Sequence, residues 1–214
     1  MNLALFYDTE TSGLPLFSQP SEHPDQPHIV QLGAALVDLD TRKVRASLDV
    51  IIRPDGWTIP AVTSAIHGIT TEMAMDLGVP AAHAIDMFLE LWAQGSRVRI
   101  GHNESFDARI LRIALMRHVD PRDRDLAIPV SDEWKAGRAE CTQRLATPFV
   151  KAPPSAKMLA VGRNHIKSAN LGEAYQHFTG KPLEDAHSAM ADVLGCMAVW
   201  FGIQDHQRAA AEVA

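Results

Sequence analysis

Carboxylates stand at the end of an apolar strand pattern near the start of the chain. In the segment LALFYD, residues 3–8, Asp8 shares a strand face with Phe6, because alternate residues of a strand point the same way. Glu10 continues that face if the chain stays extended. Two acids are therefore expected to leave the end of a buried strand in the same direction.

Two more acids fall on the apolar faces of predicted helices. Asp107 precedes Ile110 by three residues and Leu111 by four, which places it on the inward stripe of its helix. Asp192 shares its helix face with residues that are small or apolar, namely Ala189, Gly195, Cys196 and Val199. Burial of an isolated carboxylate is unfavourable by several kcal/mol, and in practice it forces the group into its neutral form. Four acids arriving from three elements therefore need a common counter-charge.

A divalent metal ion suits this set of acids, because carboxylate oxygens are hard ligands that match Mg²⁺ or Mn²⁺. Each residue taken alone has another interpretation. Asp8 and Glu10 also suit a solvated turn or a helix N-terminus. Asp107 or Asp192 alone would more often be a buried salt-bridge partner, and His187 alone a surface or N-cap residue. The conjunction of all five favours a metal-dependent site.

The elements that must position these residues can be read from apolar periodicity. Strands are predicted over residues 3–8, 29–40, 44–53 and 97–102. Helices are predicted over residues 61–65, 70–75, 80–92, 104–117, 170–178 and 188–201. Residues 118–168 are less regular, and we expect a charged loop, a helix near residues 140–146 and a mobile excursion over residues 147–158. Strands followed by helices predict one α/β domain over residues 1–214 with a mixed sheet, and its tail, 203–214, is expected to fray.

Composition excludes several classes of protein. With 46% hydrophobic and 21% charged residues, the chain is typical of a globular protein, and no apolar run approaches the roughly 20 residues that span a bilayer. The N-terminal residues lack a signal-peptide pattern, and two cysteines give neither a disulfide framework nor a zinc pattern, so we expect a cytoplasmic protein. A net charge of −6 argues against strong non-specific binding to duplexes. It leaves room for a small site that reaches phosphates through bound metal ions.

Three segments resemble a family pattern when they are taken together. The segments FYDTETSGL (residues 6–14), GHNESFDARIL (101–111) and DAHSAMAD (185–192) resemble the three motifs of the DEDDh group of 3′–5′ exonucleases, which includes proofreading subunits, RNase T and oligoribonuclease. The segment SAIHGIT (64–70) resembles a further feature of that family. The resemblance covers roughly residues 1–203 and implies a ribonuclease-H-like fold with a five-stranded mixed sheet flanked by helices.

The resemblance also implies a role for each acid. Asp8 would bridge two metal ions, Mg²⁺ or Mn²⁺, while Glu10 and Asp192 would complete the tighter site. Asp107 would help to hold the second ion. His187 would be the general base, since an imidazole with an ordinary pKa of roughly 6.5 accepts protons near neutral pH. Two such ions activate water on one side of a phosphodiester and stabilise the leaving oxygen on the other.

Substrate contacts are implied by the same motifs. The backbone just past the first acids and the Leu14 side chain would hold the terminal nucleotide, and His67 would line the base pocket. Phe106 suits either that pocket or the core equally well, and Asn103 would meet sugar or phosphate. The full set of predicted substrate contacts is Thr9, Thr11, Gly13, Leu14, His67, Asn103 and Phe106.

Three functions remain open at this point. The first motif, DTETSG, is closer to the proofreading and repair type of exonuclease than to the oligoribonuclease type, which favours the 3′ end of single-stranded or frayed DNA as substrate and 5′-mononucleotides as products. The alternative is an exoribonuclease of the same fold that acts on short RNA or RNA 3′ ends. A second alternative is a non-catalytic nucleic-acid-binding or polymerase-associated subunit. The five filled catalytic positions argue against that last alternative, although a polymerase stays a candidate partner.

Overall fold

A five-stranded mixed sheet forms the centre of the computed structural model, which describes residues 1–118 and 124–212, with residues 124–128 described by their backbone alone. The strands are β1 (Leu3–Thr11), β2 (Ile29–Asp38), β3 (Lys43–Ile51), β4 (Val98–Gly101) and β5 (Arg138–Cys141). Their order across the sheet is β3-β2-β1-β4-β5, antiparallel from β3 to β1 and parallel from β1 to β5. The predicted sheet is confirmed.

Helices cover both faces of this sheet. Their bounds are α1 (Ala61–His67), α2 (Thr71–Leu77), α3 (Ala81–Gln94), α4 (Glu104–His118), α5 (Arg124–Ala136), α6 (Thr142–Val150), α7 (Ala156–Ala160), α8 (Leu171–Thr179) and α9 (Ala189–Glu212). Asn170 and Glu173 form a capping box at the start of α8, and Gly180 ends that helix in the left-handed region. Within the described residues, no helix is both long and apolar enough to cross a membrane.

The alternation of β1 divides the core into two parts. Tyr7 packs on one face of the sheet with buried residues of α3 and α4. Phe6 packs on the other face with buried residues of α9, including Trp200 in an edge-to-face contact. Since successive side chains of a strand point to opposite faces, the residues that follow Phe6 and Tyr7 continue towards α9 and α4 in turn. The central strand therefore delivers polar side chains to both helices at its end.

The middle of the chain contains more regular structure than its sequence predicted. Glu140 and Cys141 belong to β5 rather than to a helix, and the helix expected near residues 140–146 begins at Thr142 and continues to Val150. A short strand with few apolar residues gives little alternation to detect. Part of the predicted mobile excursion, residues 147–158, is helical in α6 and α7. The helix α5 was missed, since Pro129 lies inside it. The prediction of a charged loop between residue 118 and the helix near residues 140–146 is wrong over residues 124–136, which form α5, while residues 119–123 lie outside the described residues.

The last helix is longer than predicted. We expected its end near Phe201, whereas α9 continues to Glu212. Gly202 does not break the helix, because its missing side chain lets Phe178 approach: a Cβ atom there would lie 2.7 Å from the Phe178 Cβ atom. Seven of the ten residues from 203 to 212 are Gln, Arg, Ala or Glu, which favour helix. The predicted fraying of residues 203–214 stays a prediction, and residues 213–214 are outside the described part.

Close contact between β2 and α9 depends on Gly33. This residue pairs with Asp8 in the register of β1 and β2. A Cβ atom on Gly33 would lie 2.7 Å from the carbonyl carbon of Ala189 and 2.9 Å from the backbone nitrogen of Met190. Both are backbone atoms that cannot rotate away. A glycine inside a strand is thus required where the first turn of α9 approaches the sheet beside Asp8.

We predict that Gly33→Ala lowers the free energy of unfolding by about 1–3 kcal/mol, because the added methyl group must displace the start of α9. Chemical denaturation monitored by circular dichroism measures the change. Gly172→Ala is the matched control, since a Cβ atom at that position in α8 would meet its nearest neighbour at an ordinary 3.6 Å. Equal stability of the two variants would contradict the close contact.

Candidate active site

The end of β1 provides the first two acids of the candidate site. Asp8 follows Phe6 on the face towards α9, and Glu10 follows Asp8. Both side chains are partly buried. β1 extends to Thr11, three residues beyond the strand predicted from the sequence, so the extended geometry on which the placement of Glu10 depended is present. Two carboxylates therefore lie on one strand face, where α9 begins.

Asp107 approaches from the opposite face of β1. It lies in the first turn of α4 and is buried. Its Oδ1 atom accepts two hydrogen bonds from Thr9, one from the backbone N–H at 3.0 Å and one from the hydroxyl at 2.7 Å. Thr9 was predicted to contact substrate, but its side chain is only 6% exposed and is occupied with Asp107. Thr9 thus positions the carboxylate of Asp107, and its contact with substrate stays a prediction.

Asp192 and His187 complete the cluster from the start of α9. One ligand atom each from Glu10, His187 and Asp192 lies within 4.8 Å of the others. The Oδ1 atom of Asp192 is buried and has no hydrogen-bond partner among the described residues. His187 is exposed and has a φ of 71°, in the left-handed region, just before the helix. The three side chains form a group of donors that a cation could share.

Burial and neighbouring charges raise the pKa of the acids in the cluster. Burial raises the pKa of Asp8 well above its ordinary value, and the charges of Asp107, Asp192 and Glu10 add to that effect. Burial and the charge of Asp192 raise the pKa of Glu10 to about 7. Burial also raises the pKa of Asp107, against the opposing hydrogen bonds from Thr9. The folded protein thus holds carboxylates that resist being charged together without a cation.

A glutamine that the sequence analysis did not single out fixes the start of α9. The Oε1 atom of Gln31 accepts a hydrogen bond from the Ala189 backbone N–H at 3.1 Å, and its Nε2 atom donates to Asp49 at 2.8 Å. Gln31 is therefore the side-chain partner for a free N–H group in the first turn of α9. A polar residue inside the otherwise apolar pattern of β2 was the available signal.

A buried ion pair fixes the start of α4 in a similar way. Glu104 accepts hydrogen bonds from the Tyr7 hydroxyl at 3.0 Å and from Arg99 Nε at 2.6 Å. Arg99 also donates to the backbone carbonyl of Trp134 at 2.5 Å. Burial and the neighbouring charge of Glu104 raise the pKa of Tyr7. The network joins β1, β4 and α4 three residues before Asp107, and the sequence analysis did not identify it.

His102, in the second motif, has a structural role. Its Nδ1 atom lies 3.0 Å from Thr142 Oγ1, and its Nε2 atom lies 3.1 Å from the Ala169 carbonyl oxygen. Burial lowers the pKa of His102 to about 4, so the ring is neutral near neutral pH. His102 thus joins the end of β4 to the starts of α6 and α8.

The loop after β1 carries three predicted substrate contacts. Leu14 is 76% exposed, and Gly13 has open space where a Cβ atom would lie. The Thr11 hydroxyl donates a hydrogen bond of 2.8 Å to the Gly13 carbonyl oxygen, which shapes this loop. The loop therefore presents an apolar side chain and accessible backbone beside the acids.

The remaining predicted contacts differ in exposure. His67 is half-buried, and burial, followed by the charge of His187, lowers its pKa against the effect of a backbone hydrogen bond with Thr11. Asn103 is exposed with a φ of 63°, just before α4. Phe106 is half-buried and packs against the core between the sheet and α4, which agrees with its alternative interpretation as a core residue. All three lie in segments that adjoin the acids.

Comparison with protein families gives one match over most of the chain. The family model described as "Exonuclease" matches residues 5–200. Among curated proteins, a DNA polymerase III subunit epsilon-like protein of Rhodobacter capsulatus is 34% identical over 106 residues, which cover 50% of this chain and 14% of that protein. The chain thus spans a small part of that relative.

Comparison with solved structures shows a shared fold. Exonuclease I of E. coli in complex with a dT13 oligonucleotide has a TM-score of 0.68 and 19% identity, over 100% of this chain and 43% of that chain. The zinc-bound form of the same E. coli enzyme with single-stranded DNA has a TM-score of 0.69 and 20% identity, over 97% of this chain and 42% of that chain. At this identity the likeness concerns the fold, and this chain spans less than half the length of either structure.

We predict that Asp8→Asn stabilises the metal-free protein at about pH 8, because it removes one charge from acids whose raised pKa values reflect burial and repulsion. A gain of about 1 kcal/mol would raise the melting temperature by about 2–4 °C. A group with a raised folded-state pKa contributes stability at low pH that is lost as pH rises through that pKa. Wild-type stability should therefore fall as pH rises through about 7, and more steeply than that of the variant.

Thermal denaturation in EDTA between about pH 5.5 and about pH 8 measures both effects. Asp76→Asn is the matched control, since Asp76 is exposed on α2, away from the cluster. An Asp8→Asn variant that gains no more stability at high pH than this control would contradict repulsion among the acids.

Proposed function

Because the chain belongs to the exonuclease family, as its three motifs predicted, we propose that it hydrolyses phosphodiester bonds stepwise from a free 3′ end. The observation that carries this proposal is the clustering of four acids from three elements. Ligand atoms of Glu10 and Asp192 lie within 4.8 Å of each other, and Asp8 interacts electrostatically with Asp107, Asp192 and Glu10. His187 lies on the exposed side of the same cluster. The curated relative and the solved structures cover only parts of longer proteins, so polarity and substrate are part of the proposal.

The residues of the cluster fit a divalent metal site. Their donors are carboxylate oxygens, and one buried oxygen of Asp192 has no hydrogen-bond partner among the described residues. Burial, together with the charges of its acidic neighbours, raises the pKa of Asp8. We propose that two ions, Mg²⁺ or Mn²⁺, are held by Asp8, Glu10, Asp107 and Asp192. When bound, such ions supply Lewis-acid stabilisation of the charge that develops on the phosphate and on the leaving oxygen.

We propose that His187 acts as the general base. It is exposed at the rim of the cluster, while Asp192 is fixed in the first turn of α9. His187 has a left-handed backbone, and one of its ring nitrogens lies within 4.8 Å of ligand atoms of Glu10 and Asp192. There it accepts the proton of the attacking water and releases it to solvent, while the acids keep their positions.

The 3′ nucleotide would lie between the loop after β1 and the end of α1. Leu14 is exposed on one side, and His67 is half-buried on the other. Asn103 would meet the sugar or the phosphate. We favour single-stranded DNA as substrate because exonuclease I, which has the same fold, is seen with a dT13 oligonucleotide.

Two other functions are less well supported. An exoribonuclease acting on short RNA would use the same acids, so the choice between DNA and RNA depends on the substrate contacts. A non-catalytic subunit would not need all five catalytic positions to be filled. Association with a polymerase rests on the name of the Rhodobacter relative, which covers half of this chain. The cytoplasmic location predicted from cysteine content stays a prediction, and both cysteines are free thiols.

We predict that the protein releases mononucleotides from the 3′ end of a single-stranded DNA oligonucleotide in Mg²⁺ or Mn²⁺ and is inactive in EDTA. Electrophoresis of a 5′-labelled strand would then show a ladder that shortens from the 3′ end. Ca²⁺ should support binding but little turnover, since it is larger and less demanding in geometry. A parallel RNA oligonucleotide compares the two substrate classes. Comparable cleavage of a closed circular single strand would show an endonuclease instead.

We predict that His187→Ala lowers kcat by roughly 10²–10⁴-fold, the usual contribution of a positioned proton acceptor. Substrate affinity should change far less, because the four acids remain. Single-turnover kinetics and a melting temperature are measured on the same variant, with His83→Ala, an exposed histidine on α3, as the control. Near-normal turnover together with a large loss of stability would make His187 a structural residue.

A further inference from the structure

Charge is unevenly distributed along the chain. Asp and Glu are absent from Cys141 to Gly172, although the whole chain carries 26 of them. We call residues 141–172 the basic segment. Its cations are Arg144, Lys151, Lys157, Arg163 and Lys167. With a formal charge of +5 in a chain of net charge −6, it leaves a charge of −11 on the rest of the protein.

Most of these cations are available to a ligand. Arg144, Lys151, Lys157 and Arg163 are exposed. Within the described residues, the salt bridges of the segment are confined to Lys167, whose Nζ atom lies 2.6 Å from Glu173 Oε2. Since exposed lysines and arginines most often only solvate a surface, their number alone decides nothing. Two further features distinguish these cations: hydrogen bonds fix the conformation of the segment, and the segment begins and ends near the candidate site.

Hydrogen bonds hold the segment in a defined conformation. The Ser155 hydroxyl caps α7 by accepting from the Met158 N–H at 3.2 Å. At the other end of α7, Gly162 has a φ of 75°, and the Arg163 N–H donates to the Met158 carbonyl oxygen at 2.9 Å. Lys157 and Arg163 therefore stand on opposite ends of a closed turn rather than on a free tail.

The basic segment is joined to the candidate site through His102. Thr142, near the start of the segment, contacts one ring nitrogen of His102, and Ala169, near its end, contacts the other. Asn103 follows directly, and Asp107 lies in the next helical turn. The segment thus begins and ends beside the carboxyl end of β4, at the same edge of the sheet as Asp8.

A polyanion that reaches the acids must pass a protein surface of mostly negative charge. Phosphates are bound by exposed cations, and single strands are held by grooves in which cations follow the backbone and apolar groups meet the bases. The basic segment offers both, because Leu159, Val161 and Ile166 are large apolar side chains exposed among its cations. The acids of the catalytic cluster do not themselves require a neighbouring segment that lacks acidic residues.

We infer that the basic segment binds the phosphodiester backbone of the single strand upstream of the 3′ end, with Lys157 and Arg163 as principal contacts. This inference rests on the proposed function. It makes binding depend on strand length, since a dinucleotide occupies the acids and the Leu14 loop without reaching α7. It also makes the affinity for longer strands depend on salt more steeply than the net charge of the protein would indicate.

The test reverses two charges in each of two matched variants. One double variant, Lys157→Glu with Arg163→Glu, alters the basic segment. The control double variant, Lys43→Glu with Lys135→Glu, alters exposed cations on β3 and α5. Fluorescence anisotropy in EDTA measures binding of a labelled thymidine strand of roughly 16 nucleotides, without hydrolysis. Steady-state kinetics in Mg²⁺ use the same strand and a thymidine dinucleotide. Circular dichroism checks that both variants fold.

We expect the segment variant to bind the long strand about 10-fold more weakly than the matched control. The slope of the logarithm of its binding constant against the logarithm of salt concentration should be shallower by about 1.4, which is about 0.7 for each of two lost phosphate contacts. Its KM for the long strand should rise while kcat and the rate on the dinucleotide stay near wild type. Equal affinity and equal salt dependence in the two variants would overturn the inference. Altered binding without hydrolysis of any substrate by the wild type would instead overturn the proposed function and leave this surface in place.

Discussion

Carboxylates that lie together in a partly buried place repel one another, and the contacts around the end of β1 in this protein hold four of them in position despite that repulsion. The pKa values of Asp8 and Glu10 are raised first by burial and then by the neighbouring acids, so folding holds these carboxylates where their charged forms are disfavoured. Three elements contribute the acids, so none of them can move away without disturbing the sheet or a helix. The energy stored in this cluster is what a cation would release, and this links the fold to its chemistry.

The sheet achieves this convergence through the two faces of a single strand. Side chains of β1 alternate, so Asp8 meets α9 while Thr9 meets Asp107 of α4. Each helix is then held at its first turn by a buried polar group. Gln31 accepts from the start of α9, and Glu104 joins the start of α4 to Tyr7. Helix starts carry unpaired N–H groups and a partial positive charge, which also suits the acids that lie in those first turns.

The sequence predicted best those residues whose charge stood out against the apolar periodicity of a strand or helix. The acids were predicted because a charged residue on an apolar face is unfavourable without a counter-charge. In the structure Glu10 and Asp192 lie with His187, and Asp8 interacts with the other three acids. Elements with weak patterns were not found: β5 is short and half polar, and α5 contains a proline. The supporting residues Gln31 and Glu104 depend on contacts across the fold, to partners 158 and 97 residues away in the chain, which local pattern cannot show.

The two hydrogen bonds from Thr9 to Asp107 have a consequence for how this carboxylate could act as a ligand. Both are accepted by the same oxygen, Oδ1, so the other oxygen remains for a second partner. The rotamer of Asp107 is thereby selected during folding, and the loss of side-chain entropy that accompanies coordination has already occurred. Asp192 differs, since its Oδ1 atom is held by no described partner. The two acids would therefore contribute unequally: Asp107 brings one oxygen that is already occupied, and Asp192 brings a buried oxygen without a described partner.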